Sequence, residues 1–333
     1  MVSVLVSHPQ PMLEMYFGQR ALAALREIAD VRLNPAAHDL PTPQLIEAAR
    51  DCDVVIAYRQ TPAPAALFAA LPRLAAFVRC AMDIRTVDVD AASAHGVLVT
   101  RASAGFQAAV AEWIVAMAIN LGRGLVQHAA AYQRGELPAP HTGRELRGAT
   151  VGIVGYGAIG ERFGELALAF GARLLVHTPQ PVAARDRLAA VSLDALLAGS
   201  DFVVCLAPAA PETARLMDAR AFATMRRGAF FINASRGELV DEAALLAALD
   251  SGHLGGCALD VGMAPDQTPS PALARHPRAI ATPHIGGLTP AAIEHQAIET
   301  VEQLRSLLDG RVPVGAVNAG HATRWQRLAA AAR

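Results

Sequence analysis

The sequence predicts an α/β chain built on parallel sheets. Two observations carry this. Short apolar runs alternate with stretches of helical spacing, first over residues 2–99 and again over 151–283. A glycine turn, Gly155-Tyr156-Gly157-Ala158-Ile159-Gly160, joins a strand-like run at 150–154 to a helical run at 159–170. The length, 333 residues, suggests about two domains.

The elements follow in order. Residues 2–6 form a short apolar strand, and 16–28 have helical spacing. A helix at 43–50 leads into a second strand, DVVIA at 53–57. Runs at 74–78 and 97–99 continue the pattern. A long helical region occupies 108–134. The stretch RGELPAPHTGRELRG at 134–148 is rich in Pro and Gly and reads as a connection. The second alternating unit begins at Val151. A last helix at 290–308 would return the chain to the first unit. The alanine-rich tail after Ala316 is assigned no function. No solenoid repeat is present.

Composition narrows the function classes. The net charge is −1, so no excess of basic residues meets phosphates, and no nucleic-acid partner is expected. The start, MVSVLVSHPQ, lacks the basic opening and long apolar run of a signal peptide. The most apolar helical stretch, 113–119, is too short to cross a bilayer, and no membrane partner is expected. Cys52, Cys80, Cys205 and Cys257 form no CxxC pair and read as buried free thiols of a cytoplasmic protein.

The glycine turn carries the first chemistry. Gly155 permits a tight turn, Gly157 lets a pyrophosphate approach the backbone, and Gly160 lets helix and strand pack closely. The helix start then offers N–H groups and a positive dipole end to the phosphates. The next strand, 174–177, ends at His177. An acid that would hold the adenosine ribose is replaced there by Thr178. Without a carboxylate, a 2′-phosphate is not repelled, but Pro179 and Gln180 supply no cation. Arg185 and Arg187 read as solvated helix charges or, alternatively, as cations reaching the site. These residues leave NAD and NADP both open.

Three downstream stretches complete a pattern: "LAPAAPETARLMDARAFATMRRGAFFINASRGELVDEAALLAAL", "GCALDV" and "TPHIGGLT". With the glycine turn, in this order, the chain resembles the D-isomer-specific 2-hydroxyacid dehydrogenases over about residues 53–309. The resemblance implies two Rossmann-like, doubly wound domains, the cofactor domain (103–284) inserted into a discontinuous substrate domain (1–102 and 285–316), with a tail at 317–333. It implies an active site in the cleft between domains, a small-molecule 2-oxo or 2-hydroxy acid substrate, and a homodimer using the helix at 108–134. It places the catalytic arginine on Arg236, in NASRG, and the catalytic histidine on His284, in TPHIGG. A guanidinium holds a 2-oxo acid's carboxylate and polarises its carbonyl. An imidazole delivers the proton that an alkoxide takes up after hydride transfer. Beyond the turn, the resemblance assigns His177, Thr178, Pro208, Thr213, Ser235, Asp260, Gly286 and Gly287 to the cofactor side. Asp260 also reads as a strand-end residue with supporting contacts.

Two departures stand out. The family's Glu, which pairs with the catalytic His, falls on Pro265 or, with a one-residue gap, on Ala264. His284 is then a lone histidine, or Asp266 replaces the Glu. The family's R-x-G-x-G substrate loop reads Arg79-Cys80-Ala81-Met82-Asp83-Ile84-Arg85. Asp83 brings a negative charge toward an anionic substrate. Arg85 either neutralises it or faces the pocket itself while Asp83 turns away. Arg59 and Gln60, at the end of another strand, are further candidates for lining the site. The expected function is NAD(P)-dependent interconversion of a 2-oxo acid and a D-2-hydroxy acid. The alternative is a non-catalytic dinucleotide-sensing or interaction protein on the same fold.

Overall fold

A computed structural model describes residues 1–183 and 185–331. They cluster in two compact units, Met1–Phe106 with Pro290–Arg333, and Gln107–Thr289. The first holds a five-stranded sheet with strands β1 (Ser3–Val6), β2 (Asp30–Leu33), β3 (Val54–Ala57), β4 (Ala76–Arg79) and β5 (Leu98–Arg101). Their spatial order is β2-β1-β3-β4-β5, and every pairing is parallel.

Period-two patterning explains why these strands lie inside. Val4, Val6, Val54, Ile56 and Val78 join one core with the helices Gln19–Arg26 and Pro290–Leu308. Leu5, Val55, Ala57, Phe77 and Val99 join a second core on the opposite face, with Leu45, Phe68 and Ala92. Both faces are therefore apolar, as a parallel sheet covered on two sides requires. β2 is the exception. Its residues alternate exposed and half-buried, so it carries too little apolar signal to be read from sequence.

The second unit holds a seven-stranded sheet with strands β6 (Thr150–Val154), β7 (Arg173–His177), β8 (Leu188–Ala190), β9 (Phe202–Cys205), β10 (Phe230–Asn233), β11 (Gly256–Leu259) and β12 (Ala279–Ala281). The order is β12-β11-β10-β9-β6-β7-β8, again all parallel. The chain winds outward from β6 to β8, then returns and winds the other way from β9. The reversal between β6 and β9 opens a crevice at the carboxyl ends of the strands, where α/β sheets take ligands.

Three helical expectations are corrected. The helical run expected at 16–28 begins only at Gln19, because Gly18 takes φ +80° and ends the preceding helix Gln10–Tyr16. The region at 108–134 is two helices, Gln107–Arg123 and Leu125–Gln133, bent by 70° at Gly124, whose φ is +62°. Arg185 and Arg187 do not lie on a helix; they precede β8 in an irregular turn. Among the described residues no single helix is long and apolar enough to cross a membrane.

The segment after Ala316 is built into the first unit. Ala316 bridges Thr100 on β5, and the Val317 N–H donates to the Val99 carbonyl at 2.9 Å. Asn318 receives the Val99 N–H at 2.8 Å and donates to Val97 O at 3.0 Å. The segment thus covers the outer edge of the sheet, which would otherwise present unpaired backbone groups. Ala322, Trp325 and Leu328 then enter the core.

All four cysteines are free and buried. Burial pushes the thiols of Cys80, Cys205 and Cys257 up to about 12, which leaves them inert.

His8 at the end of β1 is buried, with Phe17 and Tyr58 rings 5.2 Å from its own. Burial pushes its imidazole down to about 3. The unfolded chain protonates this group at an ordinary pKa near 6.5, the folded chain only far below. Its contribution to stability is therefore present above pH 6.5 and is lost as pH falls toward 3. In urea unfolding, the decline in stability between pH 7.5 and pH 5 should be shallower in His8→Gln than in the parent. Parallel declines would show that His8 titrates alike in both states.

Candidate active site

The carboxyl edge of the second sheet carries the site. β6 ends at the turn Gly155–Gly160. Gly155 takes φ +93°, and a Cβ there would lie 2.4 Å from the Ala207 nitrogen. A side chain at Gly160 would meet the Gly155 carbonyl oxygen at 2.8 Å. Gly157 differs from both: a Cβ built on it meets nothing within 4 Å. It caps the helix Ala158–Ala169, and no side chain satisfies that helix end. The first and third glycines are therefore required by packing. The second keeps open the space in front of an uncapped helix N-terminus, which suits an anion.

That space belongs to a groove of about 850 Å³. Of the residues expected at a cofactor, Gly155, Tyr156, Gly157, His177, Thr178, Pro208 and Thr213 line it. Ala158, Ile159 and Gly160 form the first turn of the adjoining helix. Thr213 closes the loop after β9, donating to Pro208 O at 2.7 Å and accepting from the Ala210 N–H at 2.9 Å. Ser235 donates to the Ala207 carbonyl, tying the loop after β10 to the same wall. The groove also contains Glu161, Glu165 and Arg185. The two acids were missed in the sequence. Their spacing of four residues, on the helix that opens at the glycine turn, is the signal that places both on one helical face.

Arg236 follows β10 and is half-buried. Its Nη1 donates to the Ser235 carbonyl at 2.7 Å, and its own carbonyl accepts from Asn233 Nδ2 at 2.9 Å. Next to it, Gly237 lies against the Gly262 backbone, with room for no Cβ: one would sit 2.3 Å from the Gly262 carbonyl carbon. The loop carrying Arg236 is thus fixed on both sides.

His284 follows β12 in the left-handed region, φ +56°. Asp260, at the end of β11, holds the loop around it. Asp260 Oδ1 accepts from Thr282 Oγ1 at 2.6 Å and from the Ile285 N–H at 2.8 Å, and Oδ2 accepts from the Gly286 N–H at 2.7 Å. Both oxygens of this buried carboxylate therefore serve the histidine loop. Asp260 thus makes the strand-end supporting contacts that were one of its two readings. Gly286 and Gly287 form the turn that follows, closed by the Leu288 N–H on Ile285 O at 2.8 Å.

Asp266 comes to His284 through its main chain. Its carbonyl oxygen faces His284 Nδ1 at 3.3 Å. Asp266 and Gln267 both take φ +58°, and this tight turn aims the carbonyl at the ring. A carbonyl at Nδ1 favours the tautomer with the proton there and leaves Nε2 to exchange protons.

The candidate substrate residues lie at the carboxyl ends of β3 and β4 in the first unit. Arg79 is fully buried and donates to the carbonyls of Tyr58 and Thr61 and to Thr86 Oγ1, the last two at 2.8 Å. It therefore braces the loops that follow both strands. Asp83 accepts the Arg85 N–H at 2.9 Å and pairs with the Arg85 guanidinium at 2.9 Å. Asp83 and Arg85 thus pair with each other. Ala81 accepts the Ala102 N–H at 3.1 Å, and Met82 is exposed. The Arg59 guanidinium sits 5.4 Å from the centre of the Tyr16 ring.

A strand, a glycine turn and a helix opening onto a groove define an α/β dinucleotide-binding protein. Comparison with known proteins narrows the class. Residues 115–286 match the family described as D-isomer specific 2-hydroxyacid dehydrogenase, NAD binding domain. The chain belongs to the D-isomer specific 2-hydroxyacid dehydrogenase family. A D-3-phosphoglycerate dehydrogenase of Mycobacterium bovis is 35% identical over 281 residues, which cover 83% of this chain and 53% of that protein. This chain spans about half the length of the curated relatives it matches. A solved structure from Thermus thermophilus is 32% identical, with a TM-score of 0.86, covering 95% of this chain and all of that one. A second, from a Polaromonas species, has a TM-score of 0.88 at 24% identity, covers 95% of this chain and 99% of that one, and shares the fold.

Two of the glycines make separable predictions. Gly157→Val should leave the unfolding midpoint near the parent value and abolish dinucleotide binding in calorimetry. Gly155→Ala should lower the midpoint, since its left-handed φ and its contact with Ala207 both resist a side chain. Undiminished affinity in Gly157→Val would remove the helix end from the site.

Proposed function

We propose that this protein is an NAD(P)-dependent oxidoreductase that interconverts a 2-oxo acid and a D-2-hydroxy acid. One observation carries the reading. Arg236 and His284 follow β10 and β12 on the same sheet edge as the groove that follows β6 and β7. One elongated ligand lying along that edge reaches both.

The groove fits a dinucleotide by its volume, its open position at Gly157 and its uncapped helix end. A nicotinamide supplies or accepts the hydride when bound. Arg236 holds the substrate carboxylate with paired donors and polarises the carbonyl. His284 Nε2 delivers a proton to the substrate oxygen during reduction and takes it back during oxidation. The Asp266 carbonyl fixes the ring from the other side, and Asp260 holds the loop. No Glu is needed for this orientation, because a carbonyl dipole provides it.

The assembly we propose is a homodimer in the cytoplasm. Leu125, Val126 and Tyr132 on the second of the two bent helices, with Leu137 beyond it, are exposed apolar side chains. A second copy of the same surface would bury them.

Assay of NAD(P)H oxidation against a panel of 2-oxo acids tests the activity. His284→Ala should lower kcat by about 10²- to 10⁴-fold, the scale of general acid–base catalysis. Arg236→Lys should raise KM and lower kcat together, because one ammonium replaces two directed donors. Full turnover in His284→Ala would require another acid. For the dimer, light scattering should give twice the chain mass, and Tyr132→Glu with Leu137→Glu should give the monomer. A monomeric parent protein at micromolar concentration would reject this interface.

A further inference from the structure

The adenosine end of the groove contains a cation that the reaction does not use. We propose that Arg185 binds the 2′-phosphate of the adenosine ribose and makes this chain competent for NADP(H). The inference rests on the dinucleotide reading of the groove.

The strand tip repels no phosphate. Thr178 stands where an acid would hold the ribose, and its hydroxyl donates to Gln180 Oε1 at 2.7 Å. After Gln180 the chain folds back to form β8, which pairs with β7. Arg185 bridges Leu188 at the start of that strand, with the Leu188 N–H on Arg185 O at 3.1 Å. This return brings Arg185 into the groove wall together with Thr178 and Gln180. A cation seven residues beyond Thr178 in sequence thus lines the same groove.

Two of the neighbouring charges are otherwise engaged. Arg187 donates to Leu168 O at 3.3 Å and stands 3.6 Å from Asp186. Glu165 pairs with Arg162 at 2.9 Å. Glu161 lines the groove from the first turn of the helix. Tyr156 lies between these groups, its ring against Gly160 and its hydroxyl against Gly164. Burial raises its phenol, Arg185 opposes the rise, and Glu161 and Glu165 add to it. A guanidinium there offers a phosphate two parallel charge-assisted bonds, whereas a 2′-hydroxyl offers no charge to meet.

Calorimetry on the full chain with two fragments isolates the 2′-phosphate. Adenosine 2′,5′-bisphosphate and 5′-AMP differ only in that group. The parent should bind the bisphosphate about tenfold or more tightly than 5′-AMP, and Arg185→Gln should erase the difference while leaving 5′-AMP binding unchanged. Arg185→Lys should restore part of it. Equal affinities in the parent, or a preference that survives Arg185→Gln, would overturn the proposal. NADP⁺ and NAD⁺ titrations decide the case where the fragments bind too weakly to read. Binding of NAD⁺ alone overturns the Arg185 role and leaves the groove reading intact. Binding of neither removes both.

Discussion

The close approach of the Gly155 turn to the Leu206–Ala207 backbone is the constraint on which the groove depends. β6 and β9 are sequence-distant but adjacent, and between them the winding of the sheet reverses. Two backbones leave the sheet there in different directions. They come so close that a Cβ on Gly155 would lie 2.4 Å from the Ala207 nitrogen. Only glycine accepts both this contact and φ +93°. The turn sets the start of the helix Ala158–Ala169, and the helix start sets where an anion can be held. The same loop after β9 accepts the Ser235 hydroxyl at Ala207. The position of the Arg236 loop is therefore linked to the glycine turn through the loop after β9.

Asp260 performs the matching task at the other end of the edge. A buried carboxylate is costly unless it is fully hydrogen-bonded, and three donors from one loop supply that compensation. The cost is what makes the arrangement specific. Any displacement of residues 282–286 would leave a charged oxygen unsatisfied. His284 sits within this clasp in the left-handed region, a conformation that a non-glycine residue keeps only when its surroundings enforce it. The imidazole then meets the Asp266 carbonyl, itself presented from a left-handed turn. Strain on both sides of one hydrogen bond points to a site where orientation matters more than local stability.

Much of this was legible in the sequence, and the boundary has a physical basis. Strands buried on both faces announce themselves as unbroken apolar runs, so β1, β3, β4 and β6 were readable. The glycine turn was readable because each glycine has a stereochemical reason. β2 was not, since an edge strand half in water has no such run. The bend at Gly124 was hidden because both helices keep the same apolar composition across it. The tail was hidden for a different reason. Ala322, Trp325 and Leu328 are too few and too widely spaced to mark a core segment, and only the exposed edge of β5 explains why they dock. At the site, Arg236 and His284 could be named from their motifs, but the Asp266 contact could not. It uses a backbone atom, and side-chain identity is silent about backbone atoms.

The divergent features of the chain share one cause. At three places an expected functional group is replaced by something neutral or self-neutralised. Thr178 stands for a ribose acid, a main-chain carbonyl stands at His284 where a Glu side chain is expected, and an Asp83–Arg85 pair stands in the loop where glycine N–H groups are expected. Each replacement alters charge in a loop whose flanking strands are set by apolar burial. Electrostatics is therefore the variable that can change without disturbing the fold, because the polar atoms concerned lie at strand ends beyond the cores. The scaffold fixes where chemistry occurs. The charges that vary lie at the strand ends of each sheet, outside the cores that fix the scaffold.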